Sequence, residues 1–246
     1  SVTMIYDSHC HLDLMDNMTS IVQSLAKEDI GILSVGTTPR AYLKEVELFS
    51  GVKNVHVALG LHPQLVGSGY DDWELFELLV QQCHYIGEVG LDFSKDYIAT
   101  KMQQIKTFEK ILLLCEQYGN KIVSIHSLKS AATVLEILNK LRHGKKNTYI
   151  LHWFTGTPVQ MEDAINLGCF FSINPKMLKT KSGINLIHKI PPNRILIETD
   201  APFSGEFKNA KQLKNILQDM IDNISMIKGI DLKKYLIHNE ETVFAY

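Results

Sequence analysis

Met4-Ile5-Tyr6-Asp7-Ser8-His9-Cys10-His11-Leu12 sets a short apolar run against two histidines one residue apart. Read as a strand over residues 4–7, the run delivers both imidazoles to the same side, because strand side chains alternate with period two. Such a pair can hold one end of a metal ion rigidly. With ten histidines in 246 residues, an H-x-H pair carries little weight alone. Its meaning depends on whether later strands end in the same kind of residue.

Outward from that stretch the pattern repeats. The periodicity predicts strands over residues 31–35, 55–59, 85–87, 122–125, 149–151, 169–173 and 195–197. Between them it predicts helices over 17–28, 41–49, 73–82, 98–118, 130–141, 158–167 and 182–188, with a helical tail over 210–227 and 232–244. Asn17, Thr19 and Ser20 are placed to start the first helix, and Asp71 and Asp72 to cap the third. Pro158 opens a helix and Gly119 and Gly168 stop two others. Eight short apolar strands, each followed by a helix, predict an α/β fold of the (β/α)8 TIM-barrel class. A doubly wound open sheet is the alternative, but the glycine-rich first turn that such sheets usually carry is missing. No linker or composition shift divides the chain, so one domain spanning residues 1–246 is expected.

Composition narrows the function classes. Net charge is -2 and 45% of residues are hydrophobic, which excludes a disordered chain and a globally basic nucleic-acid binder. The scattered cysteines (Cys10, Cys83, Cys115, Cys169) form no C-x-x-C pair and read as reduced thiols. No signal peptide and no membrane-length apolar run is seen, so a cytoplasmic protein is expected.

A TIM barrel keeps its functional side chains at the C-terminal strand ends. There the chain places His9 and His11 (strand 1), His62 (strand 3), Glu88 (strand 4), His126 (strand 5), His152 (strand 6) and Asp200 (strand 8). Taken singly, Asp200 could be a helix cap, and His126 and His152 core histidines; together they make one rim. His56, His84, His143, His188 and His238 fall elsewhere and read as packing or surface residues. Four imidazoles and two carboxylates exceed what one catalytic zinc takes and suit two divalent ions sharing a carboxylate. His9, His11 and Asp200 are assigned to one ion, His126 and His152 to the other, with Glu88 bridging. Asp200 is the candidate general base. His62 is the candidate to hold a phosphate or protonate a leaving oxygen. Mg, Mn and Zn all remain open, since imidazole and carboxylate donors suit each.

Six segments in order, DSHCHL (7–12), GLHP (60–63), IGEVGLD (86–92), SIHS (124–127), HWFTG (152–156) and ETDAPF (198–203), resemble the TatD family of metal-dependent deoxyribonucleases within the amidohydrolase-like superfamily. Asn239 with Val243-Phe244 is a weaker match. The resemblance covers nearly the whole chain. It implies a TIM barrel, phosphodiester hydrolysis of DNA, often as a 3′-end exonuclease, and the ligand set above. The expected substrate is DNA, single-stranded or at 3′ ends, and the expected state a monomer. Two segments depart from the family pattern. Leu128 and Lys129 stand where an arginine and an acidic residue are usual, and Phe203-Ser204-Gly205-Glu206-Phe207 replaces a proline-rich loop with an Asn-Glu-Pro element. Such divergence resembles members found beside partner genes in bacterial defence cassettes, which raises a partner-dependent nuclease-like subunit as a second function. A barrel hydrolase acting on an ester, amide or lactone is a third. Many of those bridge their metals with a modified lysine on strand 4, where this chain has Glu88.

Overall fold

The computed structural model describes residues 4–144 and 146–245. Residues 1–3, 145 and 246, which the 1–246 expectation takes in, lie outside the described residues. Eight strands alternate with helices: β1 (Ile5–Cys10), α1 (Met18–Glu28), β2 (Ile30–Ser34), α2 (Pro39–Leu48), β3 (Val55–Val57), α3 (Trp73–Leu79), β4 (Tyr85–Gly90), α4 (Lys101–Tyr118), β5 (Ile122–His126), α5 (Ala131–Leu141), β6 (Thr148–His152), α6 (Pro158–Asn166), β7 (Phe170–Ile173), α7 (Lys181–Lys189) and β8 (Ile195–Ile197). Helices α8 (Ala210–Lys228) and α9 (Leu232–Phe244) close the chain.

All strand pairs are parallel, in the orders β1-β2-β3 and β4-β5-β6-β7-β8. Two seams join these arcs into a barrel. A bridge between Leu59 and Ile86 links the end of β3 to β4, with Leu59 N–H donating to Tyr85 O and Gly87 N–H to Leu59 O. On the other side Asp200 N–H donates to His9 O at 2.8 Å and His11 N–H to Ala201 O at 2.9 Å. The chain comes so close at the first seam that a Cβ on Gly60 would drive into the Gly36 carbonyl, which is why glycine stands there.

Period-two alternation builds the barrel interior in layers. At the bottom lie Tyr6, Leu33, Tyr85, Ile122, Ile150, Phe170 and Leu196, plugged by Phe244 of α9. Two residues further along come buried Ser8, Ser124, Ser172 and Glu198. Ser8 Oγ donates to Ile197 O at 2.8 Å and meets Ser172 Oγ across the lumen. Above the serines sit the imidazoles. The strands' other faces pack on the helices in one apolar shell, including Phe76, Phe108, Leu25 and Leu217. At about 25 cal/mol per Å² of buried apolar area, this shell and the interior plug are the main stabilising term.

Several elements differ in extent from expectation. β1 and β4 run three residues further, to Cys10 and Gly90, so His9 and Glu88 lie within strands rather than after them. The third helix ends at Leu79, followed by a 3₁₀ turn over Val80–Gln82, and α4 is preceded by a 3₁₀ turn over Ile98–Thr100. Neither Asp72 nor Asn17 caps its helix with its side chain. The Asp72 carboxylate accepts from Arg40 Nε at 3.0 Å, and that of Asp71 from Gly67 N–H at 3.2 Å; both are committed elsewhere. Among the described residues no helix is long and apolar enough to cross a membrane.

Candidate metal centre

The expected residues converge on Glu88. Its Oε1 lies 3.2 Å from His9 Nε2 and 3.1 Å from His11 Nε2. Its Oε2 lies 2.9 Å from His126 Nδ1 and 3.2 Å from both His152 Nε2 and His62 Nε2. The carboxylate therefore turns one oxygen to each set of imidazoles. Asp200 Oδ1 stands 3.5 Å from both His9 Nε2 and His11 Nε2, on the Oε1 side. All seven side chains come from barrel strands or the residues just after them. Asp200 adopts φ 52, a left-handed conformation that turns it back over the barrel mouth, and its C=O accepts from Ser204 N–H.

Donor atoms of His9, Glu88, His152 and Asp200 lie within 4.8 Å of one another, as do those of His62, Glu88 and His126. The first grouping puts His152 with His9, on which its ring stacks at 3.6 Å. His152 Nε2 nevertheless faces the same Glu88 oxygen as His126 Nδ1 and His62 Nε2.

Hydrogen bonds behind the rings decide which nitrogens are free to ligate. His152 Nδ1 sits 2.7 Å from Glu198 Oε2, so it carries a proton there, and Nε2 is the nitrogen that faces inward. His126 is reversed: Nε2 sits 2.8 Å from Asp92 Oδ2, leaving Nδ1 inward. His9 Nδ1 meets Ser124 Oγ at 3.0 Å. The outer nitrogens of His9, His126 and His152 are each held by an oxygen, the arrangement that orients metal-ligating histidines, whereas His11 Nδ1 is buried without a hydrogen-bond partner among the described residues. His62 breaks the pattern. Its Nδ1 accepts from Gln64 N–H at 3.1 Å, so the inward Nε2 bears the hydrogen and cannot also offer a lone pair. The residues fit a divalent metal centre from which His62 is left out as a ligand.

Asp92 and Glu198 brace two of these rings from behind, and the motifs that contain them gave no sign of it in the sequence. Asp92 also accepts from Gln64 Nε2 at 2.9 Å and from Ser94 N–H at 2.9 Å, and its N–H donates to Gln104 Oε1. Glu198 Oε1 accepts from Trp153 N–H at 2.8 Å. Period two was the available signal for Glu198, since it shares a face with Asp200. Asp7, fully buried, clamps β1 to β8 by accepting from Thr199 N–H and Oγ1 and from His9 N–H.

Electrostatics follows this packing. Burial alone would raise the Glu88 carboxyl, but its electrostatic interactions with the His62, His9 and His152 rings around it hold it well below the usual carboxylate range. Asp200 is likewise lowered, its burial outweighed by the His11 hydrogen bond and by His152 and His9. Both are anions ready for a cation. Burial pushes Glu198 up to about 7 against the pull of His152. Burial and the neighbouring His152 lower His9 to about 4, so it is neutral, as a ligand must be.

Above Glu88 opens a cavity of about 390 Å³, lined by His11, His62, His126, His152 and Asp200 and walled by Leu65, Leu128, Trp153 and Phe203.

The sequence profile of the TatD related DNase family matches residues 6–245. The chain belongs to this family. TatD relatives include an uncharacterized metal-dependent hydrolase of Buchnera aphidicola, 28% identical over 95% of this chain and 92% of its own. The human deoxyribonuclease TATDN3 is 24% identical over 94% of this chain and 90% of its own. Among solved structures, the TatD homologue YJJV of Escherichia coli superposes over 100% of both chains with a TM-score of 0.82 at 20% identity, which shows the shared barrel. TatD membership makes this chain a metal-dependent hydrolase.

Proposed function

We propose that the protein is a two-metal phosphodiesterase acting on DNA, removing nucleotides from single-stranded 3′ ends. The observation that carries this reading is the division of Glu88, whose two oxygens address two separate imidazole sets. One ion would be held by His9, His11, Asp200 and Glu88, the other by His126, His152 and Glu88. Bound there, a pair of ions supplies Lewis-acid charge to the attacking and leaving oxygens of an in-line displacement. The chain does the rest. The free oxygen of Asp200 accepts the proton of the attacking water. His62 Nε2–H, fixed by Gln64, donates a hydrogen bond to a non-bridging phosphoryl oxygen as negative charge grows there. A neutral ring whose second nitrogen already accepts a hydrogen bond is a poor proton donor, so of the two roles open to His62 the geometry favours holding the phosphate. Glu198, Asp92 and Ser124 keep the ligating rings in register. The human relative's name supports DNA as the substrate class.

The test is cleavage of single-stranded DNA labelled at the 3′ or the 5′ end, by chelated protein reloaded with Mg²⁺, Mn²⁺ or Zn²⁺. Metal-dependent loss of the 3′ label as mononucleotide is expected. Inertness towards DNA together with turnover of a lactone or amide would overturn the reading. Activity of the isolated chain would also count against an obligatory partner subunit.

A further inference from the structure

Three imidazoles of the centre, His11, His9 and His152, form a row of ring contacts with an aromatic side chain at each end. Phe203 meets His11 edge-on at 5.0 Å between centroids; His11 meets His9 edge-on at 5.3 Å. His9 stacks on His152 at 3.6 Å, and His152 meets Trp153 edge-on at 6.4 Å. Phe203 and Trp153 thus stand at the two ends of this row of rings, and both line the cavity. Phe203 is 60% exposed, which leaves its ring accessible from the cavity. Trp153 is half-buried and held at φ 42 by its N–H bond to Glu198, and Lys176 Nζ lies 5.5 Å from its ring centroid. Among the described residues, no lysine or arginine lines the cavity. Beyond the reacting phosphate the cavity therefore offers π-faces and apolar walls rather than counter-charges.

We infer that Phe203 and Trp153 are stacking platforms for the two bases on either side of the scissile phosphate. The inference rests on the phosphodiesterase reading and adds its specificity. Neighbouring bases in a duplex stack on each other, whereas a platform on each side of one phosphate requires them to splay apart. The site is accordingly selective for unpaired ends. Every base has a π-face, so the selection ignores sequence. Lys176 meets the backbone phosphate that follows on the Trp153 side.

The experiment compares steady-state cleavage of single-stranded tetrathymidylate with that of the same chain carrying abasic sugars at the two 3′-terminal positions. Wild type, Phe203→Ala, Trp153→Ala, Phe203→Tyr and Trp153→Phe are assayed with Mn²⁺. Each alanine variant is expected to raise KM on tetrathymidylate roughly tenfold, the scale of one lost base stack. The aromatic replacements should restore wild-type KM, and no variant should shift KM on the abasic chain. Equal wild-type KM for the two chains, or equal alanine effects on both, overturns the platforms while leaving the phosphodiesterase reading intact. Cleavage of neither chain overturns that reading and the platforms with it.

Discussion

The backbone N–H of Gln64 donates to Nδ1 of His62 at 3.1 Å, and this bond determines what His62 can do. It puts the ring hydrogen on Nε2, which faces Glu88 Oε2 at 3.2 Å, and makes His62 a hydrogen-bond donor at the mouth of the site. Burial lowers the pKa of this ring, which reinforces the neutral form.

A donor to the phosphoryl oxygens acts whatever group departs. His62→Ala should therefore lower kcat by about 10²–10³, the usual cost of one lost oxyanion donor. The loss should be the same for substrates with nitrophenolate and with alkoxide leaving groups, and His62→Gln should recover part of it. Measuring kcat across leaving groups checks this; a loss confined to the poor leaving groups would return His62 to proton transfer.

Glu198 and Asp92 act one step back from the metal. Removing the Glu198 charge with Glu198→Gln leaves His152 Nδ1–H with a weaker acceptor. Divalent-metal affinity should drop by about 10–100-fold with the fold intact. Competition against a fluorescent chelator, alongside circular dichroism, measures both quantities. Unchanged affinity would show that His152 is oriented by packing alone.

How much of this was readable in advance follows from where each signal lives. Strands were legible because parallel strands buried on both faces are largely apolar, as Ile195–Ile197 is throughout and Ile122–His126 is apart from Ser124 and His126. His9, His11, Glu88, His126, His152 and Asp200 were legible because strand ends of a barrel share a rim. The extra length of β1 and β4 was not, because Ser8, His9 and Glu88 are polar residues inside strands, buried only because the centre needs them there. Likewise Asp92 could not be told from a loop acid, since its partner His126 lies 34 residues away. The roles of Asp71 and Asp72 were misread because capping residues and loop-tying residues are the same types.

Glu45 gives a pH signature away from the centre. It is buried on α2 and accepts from Ser34 Oγ at 2.5 Å. Burial, with Asp13 adding to it, raises its carboxyl from 4.5 to about 8. A folded pKa above the unfolded one means that the native state binds the proton more tightly. Its stabilising contribution is complete below the unfolded value of 4.5 and is lost as pH climbs towards 8. Wild type should therefore lose thermal stability between pH 5 and 8 more steeply than Glu45→Gln, which keeps an acceptor for Ser34. Parallel melting curves in buffers of fixed metal content test it; superimposable slopes would mean that Glu45 is ionised in the fold.

The central claim is a pair of ions bridged by Glu88, and anomalous diffraction from crystals soaked in Mn²⁺ tests it most directly. Two peaks about 3.5–4 Å apart are predicted, one beside Glu88 Oε1, His9, His11 and Asp200, the other beside Glu88 Oε2, His126 and His152, with His62 bound to neither. A single peak, or a second one coordinated by His62 in place of His126 or His152, would contradict the account.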